Sequence, residues 1–491
     1  MYATADTRTW KFMKMVSLKE NVTSLNFIAF IFAAALSICM FVFLSSTQGF
    51  VLNQILRVDL GTIGNISGNL TLFDECIALV MVYVWGILSD RWGRGGIYGV
   101  GFLLMGIGLV LYPFSKHLSP DLIIYRGIFS LGGSATSSML TAVLADYSSE
   151  KDRGKVSGLV GLMSGIGALL AVFFFLPMPA KYTDQVKGLK IAYSTVAGVS
   201  ALFGIFLIFA LRPKKMGGAG PSDHLITTPT DHAVPTVEKV SMLGGLKAGF
   251  LAAKDGKVLL GYIGGFLARG DTIIITIYLP LWVYKYYVEN KLCDRADPSS
   301  PTVKTDCHDA YIKASILSGV AQTAAMVSAP LFGWLGDRFY RPVVVLAASI
   351  IGLVSYFWLF LCTDPTAKVL YVVAILVGVG EMGIVVSSMS VVTSKAIPSH
   401  LRGSVSGAYA FCGTIGIMIA SKLGGYLFDA WTSTAPFFVM AVGNVIAVVA
   451  AVVVIVQDYA AVKHRVKDEA TPLLVALKQA QLDQDEMQLG I

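Results

Sequence analysis

Charged residues are scarce in this sequence. Only 14% of its 491 residues are Asp, Glu, Lys or Arg, whereas a soluble globular domain carries about 25%. The hydrophobic fraction is 55% and the mean hydropathy is +0.69. Apolar runs of roughly 18 residues or more, long enough to cross a bilayer core, recur along the chain. These features exclude a soluble globular protein and predict an integral membrane protein.

The motifs of common enzyme sites are also missing. The chain lacks GxxxxGK[ST], HExxH and GxSxG, so the sequence predicts no direct use of ATP and no metalloprotease or serine hydrolase site. A GxGxxG match at 378–383 lies inside an apolar run rather than after a strand, which argues against dinucleotide binding. No clustered Cys/His spacing indicates a metal site. We therefore expect no enzyme activity, no cofactor and no metal.

The apolar runs predict twelve transmembrane helices. Strand-like alternation of polar and apolar residues is absent, which favours helices over a barrel. The first run follows 24 polar, mildly basic residues and is too long for the apolar region of a cleaved signal peptide. The predicted spans are 25–50, 72–88, 96–114, 122–146, 156–177, 191–211, 258–284, 314–335, 342–362, 367–394, 404–427 and 435–456.

The distribution of lysine and arginine predicts the orientation. With the N-terminus inside, 24 of these residues fall in cytosolic segments and 11 in outer ones. Both termini are then cytosolic. The net charge of +7 reflects this asymmetry and does not indicate a nucleic-acid partner.

The predicted outer loops carry two possible covalent modifications. Cys293 and Cys307 share one loop, where a disulfide is possible if that compartment is oxidising. Asn65 and Asn69 each begin an N-x-[ST] sequon in the predicted loop after helix 1, so they are candidate glycosylation sites.

Two repeated motifs indicate an internal duplication. The stretch "GILSDRWGRGG" at 86–96 has a counterpart, "GWLGDRFYRPV", at 333–343, with the aspartates 247 positions apart (337 − 90). "DRGKVSG" at 152–158 has a counterpart, "LRGSVSG", 249 positions later (401 − 152). The predicted domains are an N-terminal tail (1–24), a six-helix bundle (25–211), a flexible central loop (212–257), a second bundle (258–457) and a C-terminal tail (458–491).

These motifs resemble the signature of the major facilitator superfamily, roughly G-x-L-x-D-R-x-G-R-[KR] in the loop after helix 2. The first copy departs from it at Gly95, and the second has Tyr340 in place of the second glycine. The resemblance covers about residues 25–457 and implies two six-helix bundles that rock about a central cavity. Transport by alternating access follows from this resemblance.

In this superfamily the signature residues form a conformational latch. The resemblance implies that the charges in the loop bind helix ends and acidic side chains in one conformation and release them in the other. Asp146 matches the acid that the family places at the end of helix 4, whereas its counterpart 249 positions later is Lys395, so we expect an asymmetric latch. The simpler interpretation is that these charges only follow the positive-inside rule. The candidate latch residues are Gly86, Asp90, Arg91, Gly93, Arg94, Asp146, Arg153, Asp337, Arg338, Arg341 and Arg402.

Four ionisable residues within the spans are candidates for the proton and substrate cavity. Glu381 is the only charge between Lys368 and Lys395, so it is either a proton or substrate site or a member of a static pair. Arg269 and Asp271 are two positions apart, and their side chains therefore point to different sides of a helix. Arg126 either faces the cavity or extends to the membrane surface. In this superfamily helices 1, 4, 7 and 10 line the cavity, and these four residues lie on helices 4, 7 and 10.

Two further sites are predicted with weaker support. Asp74 and Glu75 are placed in the first turn of helix 2, where the helix dipole alone accounts for carboxylates, although an outer gate is also possible. In the C-terminal tail, Glu469, Leu473 and Leu474 fit the acidic dileucine signal that clathrin adaptors read in eukaryotes. Leu473, Leu474 and Leu477 could instead form the apolar face of a helix on the bilayer.

Together these features predict a monomeric secondary transporter that moves a small-molecule substrate, with protons as the coupling ion and the lipid bilayer as its environment. It resembles the proton-coupled drug and metabolite transporter groups. A facilitative uniporter and a membrane sensor on the same fold are the alternatives. The expected location is a lysosomal or vacuolar membrane if the tail signal functions, or otherwise the plasma membrane.

Overall fold

A computed structural model describes residues 9–12, 16–19, 22–147, 153–211, 242–292, 294–295, 305–306, 308–392 and 402–489. Within these ranges twelve helical segments are long and apolar enough to cross a membrane. The prediction of an all-α integral membrane protein with twelve transmembrane helices is therefore confirmed.

The first half of the chain forms one bundle of six transmembrane segments. Its first helix starts at a capping box, in which Thr23 accepts a hydrogen bond from the backbone N–H of Asn26 and its own backbone N–H donates to the Asn26 side chain. Asp184 caps the sixth segment by accepting from Val186 and Lys187. The helices are α1 (Ser24–Phe50), α2 (Ile63–Trp92), α3 (Arg94–Leu111), α4 (Ile123–Tyr147), α5 (Arg153–Leu170) and α6 (Gln185–Ala210).

The second half repeats this arrangement. A short helix, α7 (Met242–Leu251), precedes it, and Asp255 caps the next helix by accepting from the backbone of Lys257. The seventh span contains two helices, α8 (Gly256–Ile273) and α9 (Leu279–Glu289), joined by a π-helical turn at Ile274–Tyr278. The remaining helices are α10 (His308–Arg338), α11 (Arg341–Leu361), α12 (Val369–Val392), α13 (Arg402–Ala430) and α14 (Ala435–Leu489).

Two details of the secondary structure differ from the sequence prediction. The described residues contain two short antiparallel ribbons, formed by β1 (Thr9–Phe12) with β2 (Val16–Lys19) and by β3 (Asp294–Arg295) with β4 (Thr305–Asp306). Ribbons this short produce too little alternation to be visible in a hydropathy pattern. Helix α2 begins at Ile63 instead of near position 72. Its first turns contain the polar residues Asn65 and Asn69, so the hydropathy pattern does not show them as part of a span.

Two segments predicted as loop or tail are helical. The central loop, expected to be flexible throughout, ends in α7, which packs on α13; Tyr262 donates to the backbone carbonyl of Gly249 in α7. Residues 212–241 lie outside the described part. The C-terminal tail continues α14 as far as Leu489. The hydropathy pattern does not reveal α7, whose ten residues are too few to cross a membrane, or the tail part of α14, which is polar.

The two bundles contact each other mainly at one side of the membrane. We call the side at which α1 begins, with Ser24, the N-terminal face, and the side at which α2 begins, with Ile63, the distal face. Near the distal face α2 packs on α13, and α1 packs on α9. Tyr284 there donates to Asn53 at 2.7 Å, and Tyr311 donates to Gln54 at 2.9 Å. The bundles are therefore joined at the distal face.

Toward the N-terminal face the same helices leave space. A side chain added at Gly86 of α2 or at Gly407 of α13 would meet no other atom within 4 Å, apart from its own neighbours in the helix. The same holds for Gly161 of α5 and Gly333 of α10. The described contacts between α2 and α13 are therefore closer at the distal end of these helices than at the N-terminal end.

Candidate functional site

A buried ion pair occupies the core of the first bundle. Arg126 of α4 is 1% exposed, and its Nη2 lies 2.6 Å from Oδ2 of Asp74 in α2. Its Nε donates to the same carboxylate at 2.8 Å, and its Nη1 donates to the Tyr112 hydroxyl at 3.3 Å. Ser130 also donates to Asp74. The guanidinium is thus bonded on several sides, which a buried charge requires.

The ion pair and the start of α2 exclude two interpretations that the sequence left open. Arg126 does not extend to the membrane surface, because its side chain is enclosed between α2 and α4. Asp74 is not in the first turn of its helix, since α2 begins at Ile63, eleven positions earlier (74 − 63). The interpretation of Asp74 and Glu75 as first-turn carboxylates stabilised by a helix dipole was therefore wrong.

A second buried cluster lies in the other bundle. Asp271 of α8 is 0% exposed and Glu381 of α12 is 5% exposed, and their charges interact directly. Thr272 donates to Oε1 of Glu381 at 3.1 Å, while the Glu381 Oε2 has no hydrogen-bond partner among the described residues. The Tyr356 side chain of α11 lies beside both carboxylates. Among the described residues no lysine or arginine compensates the two carboxylates.

Two carboxylates with no cation cannot both stay ionised in a low-dielectric bundle. Such a pair takes up a proton or holds a cation, and either event changes the charge inside the membrane. The geometry of Asp271 and Glu381 can therefore couple an ion to a movement of the bundle.

Arg269 and Asp271 point to different sides of α8, as their spacing predicts. Asp271 faces the interior of the bundle, whereas Arg269 is exposed. Across the space between the bundles, Glu75 of α2 interacts electrostatically with Arg269. The four predicted cavity charges therefore do not form one site. Arg126 belongs to the first bundle core, Asp271 and Glu381 to the second, and Arg269 to the space between the bundles.

The first copy of the repeated motif makes a side-chain contact at the N-terminal face. Arg94, the first residue of α3, donates from Nε to Oδ2 of Asp146 near the end of α4 at 3.0 Å, and it also bonds Ser89. The turn between α2 and α3 is made by Gly93, whose φ of +82° favours glycine. Arg91 is exposed. The side chains of Asp90 and Arg153 lie outside the described part.

The second copy has the same geometry with a different acceptor. Arg341, the first residue of α11, donates from Nη1 to the backbone carbonyl of Ser390 near the end of α12 at 2.7 Å. Arg338 lies over the Trp334 ring, with 5.4 Å between the guanidinium carbon and the ring centroid, and Asp337 is exposed. Lys395 and the Arg402 side chain are outside the described residues. An arginine–carboxylate contact in one half thus corresponds to an arginine–carbonyl contact in the other.

The distal face contains polar contacts between the bundles that the sequence did not predict. Asp429 of α13 accepts hydrogen bonds from the backbone N–H groups of Gly64 and Asn65 at 3.0 and 2.6 Å. Lys422 donates to the side-chain oxygens of Asn65 and Asn69 at 3.2 and 2.6 Å. Both sequon asparagines therefore lie in α2 and not in a loop, which corrects the expected placement.

Three predicted features fall outside the described residues. These are Cys293 and Cys307, the two cysteines of the proposed disulfide, and the side chains of the sorting motif at 469–474. The backbone of that motif is part of α14, whereas a peptide that docks on an adaptor is extended. As for metals, the described residues contain no group of three or more His, Cys, Asp or Glu that could hold one.

Comparison with known proteins agrees with the two-bundle fold. The sequence profile of the Major Facilitator Superfamily matches residues 27–292 and 262–484. The chain belongs to this superfamily. As a superfamily member it is a membrane transporter with two six-helix bundles, and its two profile matches, one over each half, agree with the internal repeat.

Individual relatives of this superfamily member are distant. It is 25% identical over 420 residues to magnetosome protein MamH of Paramagnetospirillum magneticum, which covers 84% of this chain and 88% of MamH. It is 23% identical to MamZ of the same organism, where the match spans only 58% of the length of MamZ. A crystal structure of the nucleoside transporter NupG superposes with a TM-score of 0.60 at 14% identity, covering 88% of this chain and 99% of NupG. That likeness shows the shared fold.

Proposed function

We propose that this protein is a secondary active transporter that moves a small solute by alternating access and is driven by protons. The observation that carries the proposal is the carboxylate pair of Asp271 and Glu381, buried in the second bundle without a compensating cation. A proton on each carboxylate would neutralise the pair, and loss of the proton from Glu381 would place an uncompensated charge in the bundle. A carrier of this kind links proton uptake to a change in bundle packing.

The orientation belongs to the same proposal. The excess of lysine and arginine in the segments on the N-terminal face favours a cytosolic N-terminal face. The distal contacts of Asp429, Tyr284 and Tyr311 then close the outer side, and the cavity opens to the cytosol. We propose that the bundles are 25–211 and 258–457, and that the latch of Arg94 and Asp146 acts as they rock. The location is a lysosomal or vacuolar membrane or the plasma membrane.

Proton flux in proteoliposomes tests this function. Vesicles that contain the protein and the pH dye pyranine are challenged with a panel of organic solutes, and a transported solute changes the internal pH as it crosses. Glu381→Gln should abolish proton-driven accumulation, because the amide cannot carry the proton, while solute exchange between equilibrated compartments remains. Glu289→Gln is the matched control, since Glu289 of α9 is largely exposed and lies beside Lys285.

Each result of this assay separates the alternatives. Accumulation by the Glu381→Gln protein at the normal rate would show that Glu381 is not the carrier. Solute movement without proton flux in the unaltered protein would identify a facilitative uniporter. Specific binding without any movement of solute would identify a sensor on the transporter fold.

A further inference from the structure

Arg269 is an exposed charge halfway along a transmembrane segment. It lies 13 positions after Gly256 (269 − 256), or about 20 Å along α8 at 1.5 Å per residue. Among the described residues no carboxylate lies within 4.0 Å of its guanidinium. A cation at this depth requires water or an anionic partner, because the hydrocarbon core cannot solvate it.

The neighbouring helix α13 fixes the stem of this side chain. The Cγ of Arg269 lies 2.7 Å from where a Cβ on Gly413 would be, so glycine at that position lets the stem lie against α13. Tyr409 of the same helix interacts electrostatically with Arg269, and its hydroxyl lies 3.2 Å from Ser388 of α12. The stem is therefore held between α8 and α13, and none of the described residues accepts a hydrogen bond from the exposed guanidinium.

The first bundle presents one uncompensated carboxylate to this arginine. Asp74 and Glu75 are neighbours on α2, but Asp74 is neutralised within its own bundle by Arg126. Glu75 is half-buried about 18 Å along α2, and Arg269 is the cation that acts on it. The two charges face each other from opposite bundles and are too far apart to form an ion pair.

We infer that Arg269 binds the carboxylate of the transported solute and that the substrate is therefore an organic anion. A guanidinium presents paired donors that match a carboxylate, and the low dielectric between the bundles strengthens that contact. The negative charge of Glu75 acts on Arg269 from the opposite bundle and therefore opposes the binding of an anion. This inference rests on the proposed transport function and adds the chemical class of the substrate to it.

Binding of three isosteric probes tests the inference without a known substrate. The melting temperature of the purified full-length protein, in an uncharged detergent at constant ionic strength, is measured against benzoate, benzamide and benzylamine. Benzoate should raise the melting temperature with saturation, and the neutral and cationic isosteres should not. Inorganic phosphate is a fourth arm that distinguishes a carboxylate site from a general anion site.

Variants assign the effect to Arg269. Arg269→Gln should weaken benzoate binding about tenfold or more, as expected for the loss of a charge-assisted contact. Arg269→Lys should keep part of the binding, and Glu75→Gln should strengthen it because the opposing negative charge is removed. Lys187→Gln, which removes an exposed cation from α6, should leave the binding constant unchanged.

Three outcomes would overturn the inference: no response to benzoate, equal responses to benzoate and benzamide, or equal benzoate affinity in the Arg269→Gln and unaltered proteins. The electrostatic interaction of Arg269 with Glu75 would then have no role in binding a solute. A stronger response to phosphate than to benzoate would also reject the carboxylate assignment. The binding results do not depend on the proton-flux assay. Saturable benzoate binding without any transport would therefore contradict the proposed transport function but not the anion site at Arg269.

Discussion

Asp429 of α13 provides the N-terminal cap of α2, a helix of the opposite bundle. Its two carboxylate oxygens accept from the backbone N–H groups of Gly64 and Asn65, and Thr62, the residue in the N-cap position of α2, makes no side-chain cap bond. Free N–H groups at a helix start require an acceptor. Because this acceptor comes from the other bundle, separating the bundles at the distal face must break the cap.

Asp429→Ala should therefore favour the state in which the distal face is open. A lost cap costs about 0.5–2 kcal/mol, which corresponds to a shift of about 2- to 30-fold in the equilibrium between the two states. The readout is the labelling rate of Ser421→Cys by a membrane-impermeant maleimide on a cysteine-free background. Ser421 is 0% exposed in α13 and lies against Gly68 of α2, so we expect it to become accessible when the distal face opens.

The control for this experiment is Asp364→Ala. Asp364 caps the backbone of Thr366 at 2.7 Å within a single bundle, so its removal should leave the labelling rate unchanged. If the maleimide labels Ser421→Cys at the same rate in the Asp429→Ala and Asp364→Ala proteins, Asp429 does not hold the distal face closed.

Asp74→Asn should destabilise the first bundle strongly. It leaves the charge of Arg126 buried without its counter-ion, and breaking a buried pair in this way costs about 3–5 kcal/mol. The melting temperature of the purified protein should fall clearly, and less so for Glu75→Gln at the adjacent position. Equal losses in the two variants would mean that the ion pair contributes nothing specific to stability.

Loss of the first latch should impair transport more than loss of the second. Asp90→Asn and Asp146→Asn are each expected to slow the initial uptake of the solute found in the proton-flux screen, whereas Asp337→Asn should slow it less, because Lys395 replaces the acid in that half. The yield of folded protein should change little, since the Arg94–Asp146 pair is partly exposed and such pairs contribute about 0–1 kcal/mol. Equal effects on uptake in the two halves would argue against an asymmetric latch.

The C-terminal motif should direct a eukaryotic protein to the lysosome or vacuole. Replacing Leu473 and Leu474 together with alanine should move a fluorescently tagged copy to the cell surface, whereas Leu477→Ala should not. Because α14 extends through this segment, recognition requires the helix to unwind locally. If the double variant and the unaltered protein are found in the same organelle, the motif is not a sorting signal.

Features that depend on local composition could be predicted from the residues alone. Apolar length predicted twelve spans, and the repeated motifs around Asp90 and Asp337 predicted two related bundles. The spacing of Arg269 and Asp271 predicted that their side chains point to different sides of α8, since residues two positions apart on a helix lie on different faces. Span limits were less certain, as the early start of α2 at Ile63 shows, because a polar helix end resembles a loop in a hydropathy pattern.

The pairing of the buried charges could not be predicted without the packing of the helices. Arg126 and Asp74 are 52 positions apart, and Asp429 is 365 positions from Gly64. Tyr356 and Thr272, which accompany the buried carboxylates, are neutral residues that no charge pattern singles out. Side-chain partners on different helices depend on how each helix is rotated and packed against the others. The rotation of each helix is set by contacts along the whole bundle, so it cannot be predicted from the residues next to each charge.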